Sequence, residues 1–374
     1  MKAWPVLGIV FIQSFLLLVH LFLYWTWVSF CGVPGGLAGA ALKAALLVLA
    51  CSFVLGALLS FFFAGWLVTA IYRIAAFWLG FLNYIFWSAC LVWLMWGLLK
   101  VSHLGAGGME ERSVLAWVFL GLSIAVSVFG ILNARWVRVR RVAVELRNLP
   151  AAWRGRTALL ASDLHLGHVN GIGFSRRMAA LMTRLKPDVV FLAGDFFDGT
   201  KVDPGLLASP LKGVVPPFGV FFATGNHDEF GDTPRYLAAL RGAGVRVLAN
   251  EKVVVEGLQI LGVPYHDTTY PMRMRAVLEA MEIDRGTASI LINHVPNRLP
   301  IVEQAGVSLQ VSGHTHGGQL APFTWLTRRV FGKFTYGLSS FGELQVFTSY
   351  GAGTWGPPMR VGTRAEVVLI RFGV

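Results

Sequence analysis

Five polar clusters beyond residue 155 carry the side chains that can do chemistry. They are Asp163-Leu164-His165, Gly194-Asp195-Phe196-Phe197-Asp198, Gly225-Asn226-His227-Asp228, Asn293-His294 and Gly313-His314-Thr315-His316. Carboxylate oxygen and imidazole nitrogen without thiolate suit Mn, Fe or Zn better than soft metals. One carboxylate can bridge two cations. Two cations held about 3.5–4 Å apart can clamp the attacking and leaving oxygens of a displacement at phosphorus. They also acidify the water bound to them, so hydroxide becomes available at neutral pH.

Each cluster follows a short apolar stretch of strand character, at 157–162, 188–193, 219–224, 289–292 and 308–312. Helix-like segments lie between the early ones, at 174–186 and 233–242. In α/β sheets, ligands bind beyond the carboxyl ends of the strands. Five such ends bearing Asp, Asn and His predict one composite site. Taken singly the clusters are weak: Gly-Asp often marks a turn, and Gly-Asn-His-Asp also suits a hairpin. The set, in this order and each after a strand, is strong.

Taken in order, these five motifs resemble those of the calcineurin-like metallophosphoesterases. The stretch from Gly313 to Gln319 and the late segment from Gly351 to Arg360 resemble the YkuE/YaeI-like, membrane-anchored branch. The resemblance runs from about Thr157 to Phe372. It implies an α/β domain built as a four-layer αββα sandwich, and a binuclear centre of two divalent metal ions. One ion would be held by Asp163, His165, Asp195 and His316, the other by Asp195, Asn226, His294 and His314, with Asp195 as the bridge. His227 would sit beside the phosphate as donor and general acid. Asp228 would orient its imidazole, and Asp198 would stand behind the ligands.

Ahead of this domain the composition changes. Over the whole chain hydrophobic residues make up 55% and charged residues 14%, with a mean hydropathy of +0.61. A soluble domain would carry about 25% charged residues. Up to Ala134 the only formal charges are Lys2, Lys43, Arg73, Lys100, Glu110, Glu111 and Arg112. About 20 apolar residues span a bilayer. Four such runs, at 4–30, 44–67, 74–99 and 113–133, predict an all-α transmembrane bundle over 1–134. A basic linker over 135–154 and the phosphoesterase domain over 155–374 would follow. The arginines at 135, 138, 140 and 141 would meet lipid headgroups at the membrane exit.

Four spans place Lys2, Arg73 and the arginine cluster on one side, and Lys43, Lys100 and Arg112 on the other. The positive-inside rule then puts the N-terminus and the catalytic domain in the cytoplasm. The expectation is an integral protein of a bacterial inner membrane, acting on a phosphate ester, with a lipid-linked ester as a candidate substrate. The net charge of +12 comes with no nucleic-acid-binding motif, so no nucleic-acid partner is expected. Cys31, Cys51 and Cys90 all fall in the apolar region and read as small packing residues.

Other residues are ambiguous. His168 and His266 read as surface or loop histidines. His20 suits helix packing as well as function, and His103 lies in the membrane half. Arg360, and more weakly Arg328, Arg329 and Lys333, are candidates to face an anionic substrate. The aromatic stretch 323–341 suits a lip against the bilayer or ordinary packing. The competing non-enzymatic reading is a metal-binding sensor or scaffold on a membrane bundle. A transporting bundle with a regulatory domain ranks last, for want of paired intramembrane charges.

Overall fold

A computed structural model describes residues 3–102 and 108–373; Lys2 and His103 lie outside them. The chain divides into two units. The first contains residues 1–132 with the short stretch Gly356–Met359, and the second contains Asn133–Trp355 and Arg360–Val374.

The first unit is built from α1 (Ala3–Cys31), α2 (Gly36–Phe62), α3 (Trp66–Val101) and α4 (Met109–Arg135), whose last turn runs on into the second unit. All four are long and apolar enough to cross a membrane. Their outward faces are apolar, as in Phe11, Leu18, Leu47, Leu94 and Phe129, which suits a lipid rather than an aqueous surround. Inside, Leu16, Val19 and Leu23 of α1 pack on Leu82 and Ala89 of α3. Trp25 stacks on Trp93 at 4.2 Å. Two indoles bond within the bundle: Trp78 Nε1 donates to His20 Nε2 at 3.0 Å, and Trp93 Nε1 to Thr26 Oγ1 at 2.9 Å. His20 thus takes part in helix packing.

The expected break between the second and third runs moves. Helix α2 ends at Phe62, and α3 begins at Trp66 after Gly65, whose φ of +133° no side-chain-bearing residue adopts readily. Arg73 lies inside α3 and does not separate two runs. Apolar residues flank the turn on both sides, so hydropathy alone does not mark it.

The second unit carries two six-stranded sheets. The first has the order β1 (Arg138–Val144), β12 (Glu366–Phe372), β2 (Thr157–Ala161), β3 (Val189–Ala193), β4 (Val220–Ala223), β5 (Arg246–Val247). The second has the order β10 (Gly337–Phe341), β11 (Leu344–Thr348), β9 (Leu309–Ser312), β8 (Ser289–Ile292), β7 (Leu258–Gly262), β6 (Glu251–Val255). Strands β2 to β5 are parallel to one another, as are β7, β8, β9 and β11.

Successive side chains of a strand point to opposite faces, so strands covered on both sides read as continuous apolar runs. Leu160 and Phe191 of the first sheet meet Ile290, Val311 and Phe347 of the second between the sheets. Their neighbours Leu159, Val190 and Leu192 pack outward on α5 (Ile172–Leu185), α6 (Pro204–Ala208) and α8 (Thr233–Gly242). Leu261, Leu291 and Val346 pack outward on α10 (Pro271–Ala280) and α11 (Leu299–Ala305). The result is the four-layer αββα sandwich.

The stretch expected as a basic linker is part of this domain. Residues 138–144 form β1, in parallel register with β12, and Trp153 is fully buried between the sheets. The sequence Arg-Val-Arg-Arg-Val-Ala-Val is a strand whose arginines disguise its alternation. Arg140 does not reach for headgroups; its guanidinium lies 4.4 Å from the centre of the Tyr336 ring.

Candidate metal centre

The five clusters lie at the carboxyl ends of β2, β3, β4, β8 and β9, so both sheets contribute to one edge. Asp163 and His165 follow β2, Asp195 and Asp198 follow β3, and His294 follows β8. His314 and His316 follow β9. Asn226, His227 and Asp228 open the short helix α7 (Asn226–Phe230) after β4. Asp163, His165, Asp195, His314 and His316 all have left-handed backbones, with φ between 46° and 68°. That conformation is costly for non-glycine residues and concentrates at functional sites. It turns consecutive side chains off the strand ends toward one point. Glycine is required beside them: a Cβ on Gly225 would stand 2.2 Å from Asp195 Oδ1, and one on Gly313 2.2 Å from Asp163 Oδ2.

The seven expected ligands come together. His165 Nε2 and His316 Nε2 face each other at 3.0 Å, and His316 Nε2 is 3.5 Å from Asp163 Oδ1. In the second group His294 Nε2 is 3.1 Å from Asp195 Oδ2 and 3.3 Å from His314 Nδ1. His314 Nδ1 is 3.1 Å from Asn226 Oδ1. Asp195 Oδ2 is also 3.7 Å from His165 Nε2, so this carboxylate stands between the groups.

These donors fit divalent cations. His294 Nδ1 lies 2.8 Å from the carbonyl of Ala193. A carbonyl only accepts, so Nδ1 carries a proton, and Nε2 faces the Asp195 carboxylate across a gap that either a second proton or a metal ion must fill. Lone pairs turned on one another in a buried pocket repel unless a proton or a metal lies among them, and a second nitrogen fixed by a backbone carbonyl is how metal-binding imidazoles are held. Asp163 with His165 and His316, and Asp195 with His294 and His314, each form a group able to hold an ion.

The electrostatics carry the same demand. Burial disfavours a charged His294, yet the Asp195 carboxylate beside it pushes its pKa up to about 10. Burial would raise Asp195, but His294 and then His165 hold it well below the carboxylate range. Burial, then the charge on His294, lowers His314 to about 3. Burial, His165 and Arg360 hold His316 well below its ordinary value. His314 and His316 are thus held neutral, as metal binding requires, whereas His294 keeps beside Asp195 a proton that a bound cation would displace.

His227 and Asp228 depart from the expected pairing. His227 Nδ1 bonds the carbonyl of Asp198 at 3.1 Å. The Asp228 carboxylate accepts instead from the backbone N–H groups of Asp195, Phe197 and Gly225, at 2.7–2.9 Å. Its role is to fix the β3 and β4 loops, because at the start of a helix a buried carboxylate satisfies backbone donors more readily than a side chain. Asp198 stands behind the ligands, with Oδ1 3.3 Å from His165 Nδ1.

Arg360, expected to face an anionic substrate, is completely buried. Its guanidinium donates to the carbonyls of Tyr350 and Gly353 at 2.7 Å and comes within 3.2 Å of His316 Nδ1. Its place in the late Gly-Ala-Gly-Thr-Trp-Gly-Pro-Pro-Met-Arg segment was the one available signal. His168 lies in a turn, as a loop histidine would, but is buried there, whereas His266 is exposed as expected. Of an aromatic rim, only Phe331 fell in a stretch singled out by its composition. Phe230 and Trp355 lie 5.0 and 5.6 Å from the His227 ring, and Tyr265 and Phe331 lie 6.4 and 6.0 Å from the His314 ring. No spacing in the sequence distinguishes Phe230, Tyr265 and Trp355 from core aromatics.

Comparison with known proteins gives a concordant result. The family model for calcineurin-like phosphoesterases matches residues 157–318. An uncharacterized metallophosphoesterase of Aquifex aeolicus is 30% identical over 255 residues, 67% of this chain and 97% of that protein. An uncharacterized metallophosphoesterase of Campylobacter jejuni is 29% identical over 290 residues, 75% of this chain and 76% of that protein. A transmembrane protein with metallophosphoesterase domain from Danio rerio is 29% identical over 284 residues, 71% of this chain. The match spans 63% of the zebrafish protein, less than two thirds of its length.

Proposed function

The chain belongs to the calcineurin-like phosphoesterases, and from that membership we propose that it is an integral membrane enzyme hydrolysing phosphodiester or phosphomonoester bonds at a two-cation centre. The observation that carries this reading is His294 Nε2 turned onto Asp195, with the same carboxylate in reach of His165.

Asp163, His165, Asp195 and His316 would hold one ion, and Asp195, Asn226, His294 and His314 the other, Mn, Fe and Zn all suiting the donors. Such ions supply positive charge for the phosphate oxygens and an acidified water. The protein's own work is positioning. Asp195 Oδ1 accepts the His227 backbone N–H at 2.8 Å, which ties the bridging carboxylate to the residue nearest the substrate side. His227 Nδ1 is committed to Asp198, so Nε2 is the atom left to reach a phosphate oxygen or the leaving oxygen. Burial and His165 hold His227 below its ordinary pKa. An anionic ester beside it raises that value, and the protonated ring then donates.

The even number of spans and the weight of basic residues beside Arg73 and Arg135 favour a domain on the cytoplasmic side. Protease added outside intact spheroplasts should leave the domain whole. A lipid-linked ester is the substrate this location favours.

Purified protein should contain close to two metal ions per chain and hydrolyse bis(4-nitrophenyl) phosphate. Asp195→Ala and His227→Ala should each abolish turnover. Tight metal binding with no hydrolysis across phosphate monoesters, diesters and pyrophosphates would favour the sensor reading instead.

A further inference from the structure

Helix α12 (Phe323–Phe331) buries none of its residues, unlike every other described α-helix of the second unit. Nine residues are too few to hold a helix in water without a covered face. Four of its six exposed residues are nevertheless apolar. Phe323, Trp325, Leu326 and Val330 are 49%, 61%, 53% and 67% exposed. Phe323, Leu326 and Val330 share one face by their spacing.

The charges around that face have one sign. Arg328, Arg329 and Lys333 lie on or next to the helix, and no Asp or Glu occurs from Gln304 to Gly342. The Arg329 guanidinium lies 4.9 Å from the centre of the Trp325 ring. An exposed apolar face, an interfacial tryptophan and unopposed cations are the makings of a helix that lies in an anionic bilayer surface. The same chain supplies the bilayer, through four apolar helices, and only Trp136 and Val137 separate α4 from β1.

The helix is also fixed to the metal centre. Phe323 N donates to the Leu320 carbonyl at 2.8 Å, and a Cβ on Gly318 would stand 2.5 Å from the Phe323 carbonyl oxygen. At the other end the Phe331 ring is 6.0 Å from that of His314, and Thr315 Oγ1 donates to the Thr335 carbonyl at 2.9 Å. The segment that α12 grips bears His314 and His316.

We infer that α12 lies in the headgroup region of the bilayer and brings the metal centre to phosphate esters carried on lipids in that leaflet. The substrate class rests on the phosphoesterase reading; the membrane contact does not.

The test uses the full chain in nanodiscs of phosphatidylcholine and phosphatidylglycerol. Wild type is compared with Leu326→Glu/Val330→Glu, a pair exposed enough to change without unfolding the domain. Amides 323–331 should exchange slowly in the wild type and quickly in the variant. Turnover of a phospholipid phosphate ester in the disc should fall by about tenfold or more in the variant. Turnover of bis(4-nitrophenyl) phosphate should stay within about twofold. Equal exchange in the two proteins would overturn the membrane contact. Slow wild-type exchange with unchanged lipid-ester turnover would overturn the substrate class. If the wild type hydrolyses neither ester with any metal, the phosphoesterase reading fails, and the exchange comparison still decides the membrane contact.

Discussion

The guanidinium of Arg360 stands 3.2 Å from Nδ1 of His316 and is held there by the carbonyls of Tyr350 and Gly353. Arg360 belongs to none of the ion pairs among the described residues, so backbone oxygens carry its charge. Those carbonyls belong to a loop that itself bonds the end of β2, Gly353 N to the Asp163 carbonyl at 2.8 Å and Ala352 N to that of Ser162 at 3.0 Å. One buried cation thus braces two of the expected metal-holding segments.

Replacing Arg360 should therefore cost stability and metal together. Hydrogen bonds to a charged group are worth about 1.5–3 kcal/mol each, and Arg360→Ala leaves several buried carbonyls without a donor. We expect a loss of about 3 kcal/mol or more on that basis. Arg360→Lys should recover little, because an ammonium cannot span the carbonyls that the planar fork reaches. Thermal unfolding and metal content of the purified variants measure both effects. An unchanged melting temperature in Arg360→Ala would contradict this bracing role.

Asp228 and His227 should separate cleanly. Asp228 accepts three backbone N–H groups and does not reach the His227 ring, so Asp228→Ala should destabilise the fold by about 3 kcal/mol through unsatisfied buried donors. His227→Ala should leave the melting temperature close to wild type while turnover disappears. Unfolding curves and aryl phosphodiester hydrolysis on the two variants decide the point. A destabilised His227→Ala with an undisturbed Asp228→Ala would reverse the assignment.

Much of this was legible in the sequence because chemistry and backbone coincide at the strand ends. Asp163, Asp195, Asn226, His294 and His314 each follow an apolar run after one or two residues, and the run that makes the strand also aims its end. What escaped was decided by packing. The alternation in β1 was masked by arginines, one of which stacks on Tyr336. Arg360 looked like a surface charge because sequence does not show which carbonyls will surround a guanidinium. The partner of His227 was misread for a related reason: adjacency suggested Asp228, but the backbone donors of Asp195, Phe197 and Gly225 claim that carboxylate first.

Removing metal should loosen the domain reversibly. The ligands come from both sheets, so ions bound to the folded site and not to the unfolded chain add to stability. At a free metal concentration a thousandfold above Kd the gain is about 4 kcal/mol. A chelator should lower the melting temperature, and Mn, Fe or Zn should restore it. His294→Ala should blunt the response, since its donor is the one turned directly onto Asp195. A melting temperature indifferent to chelator would argue against resident ions.

Acid should expose the contribution of Asp188, which lies away from the metal centre. Its Oδ1 accepts from Arg156 at 2.9 Å, and its Oδ2 from Thr157 N at 2.8 Å and Thr157 Oγ1 at 3.1 Å, pinning the start of β2 to that of β3. Partial burial would raise its pKa, but the Thr157 N–H, then Arg156 and the Thr157 hydroxyl, hold it below the ordinary carboxylate value. A folded pKa below the unfolded one means stability that is fully present above about pH 4. It is lost as pH falls through the folded value. Asp188→Asn should thus be less stable than wild type by about 1–2 kcal/mol at neutral pH. The gap should close progressively below about pH 4. Running both proteins with chelator present keeps metal release out of the comparison. A gap that stays constant down to strong acid would show that the carboxylate charge is not what ties the two strands.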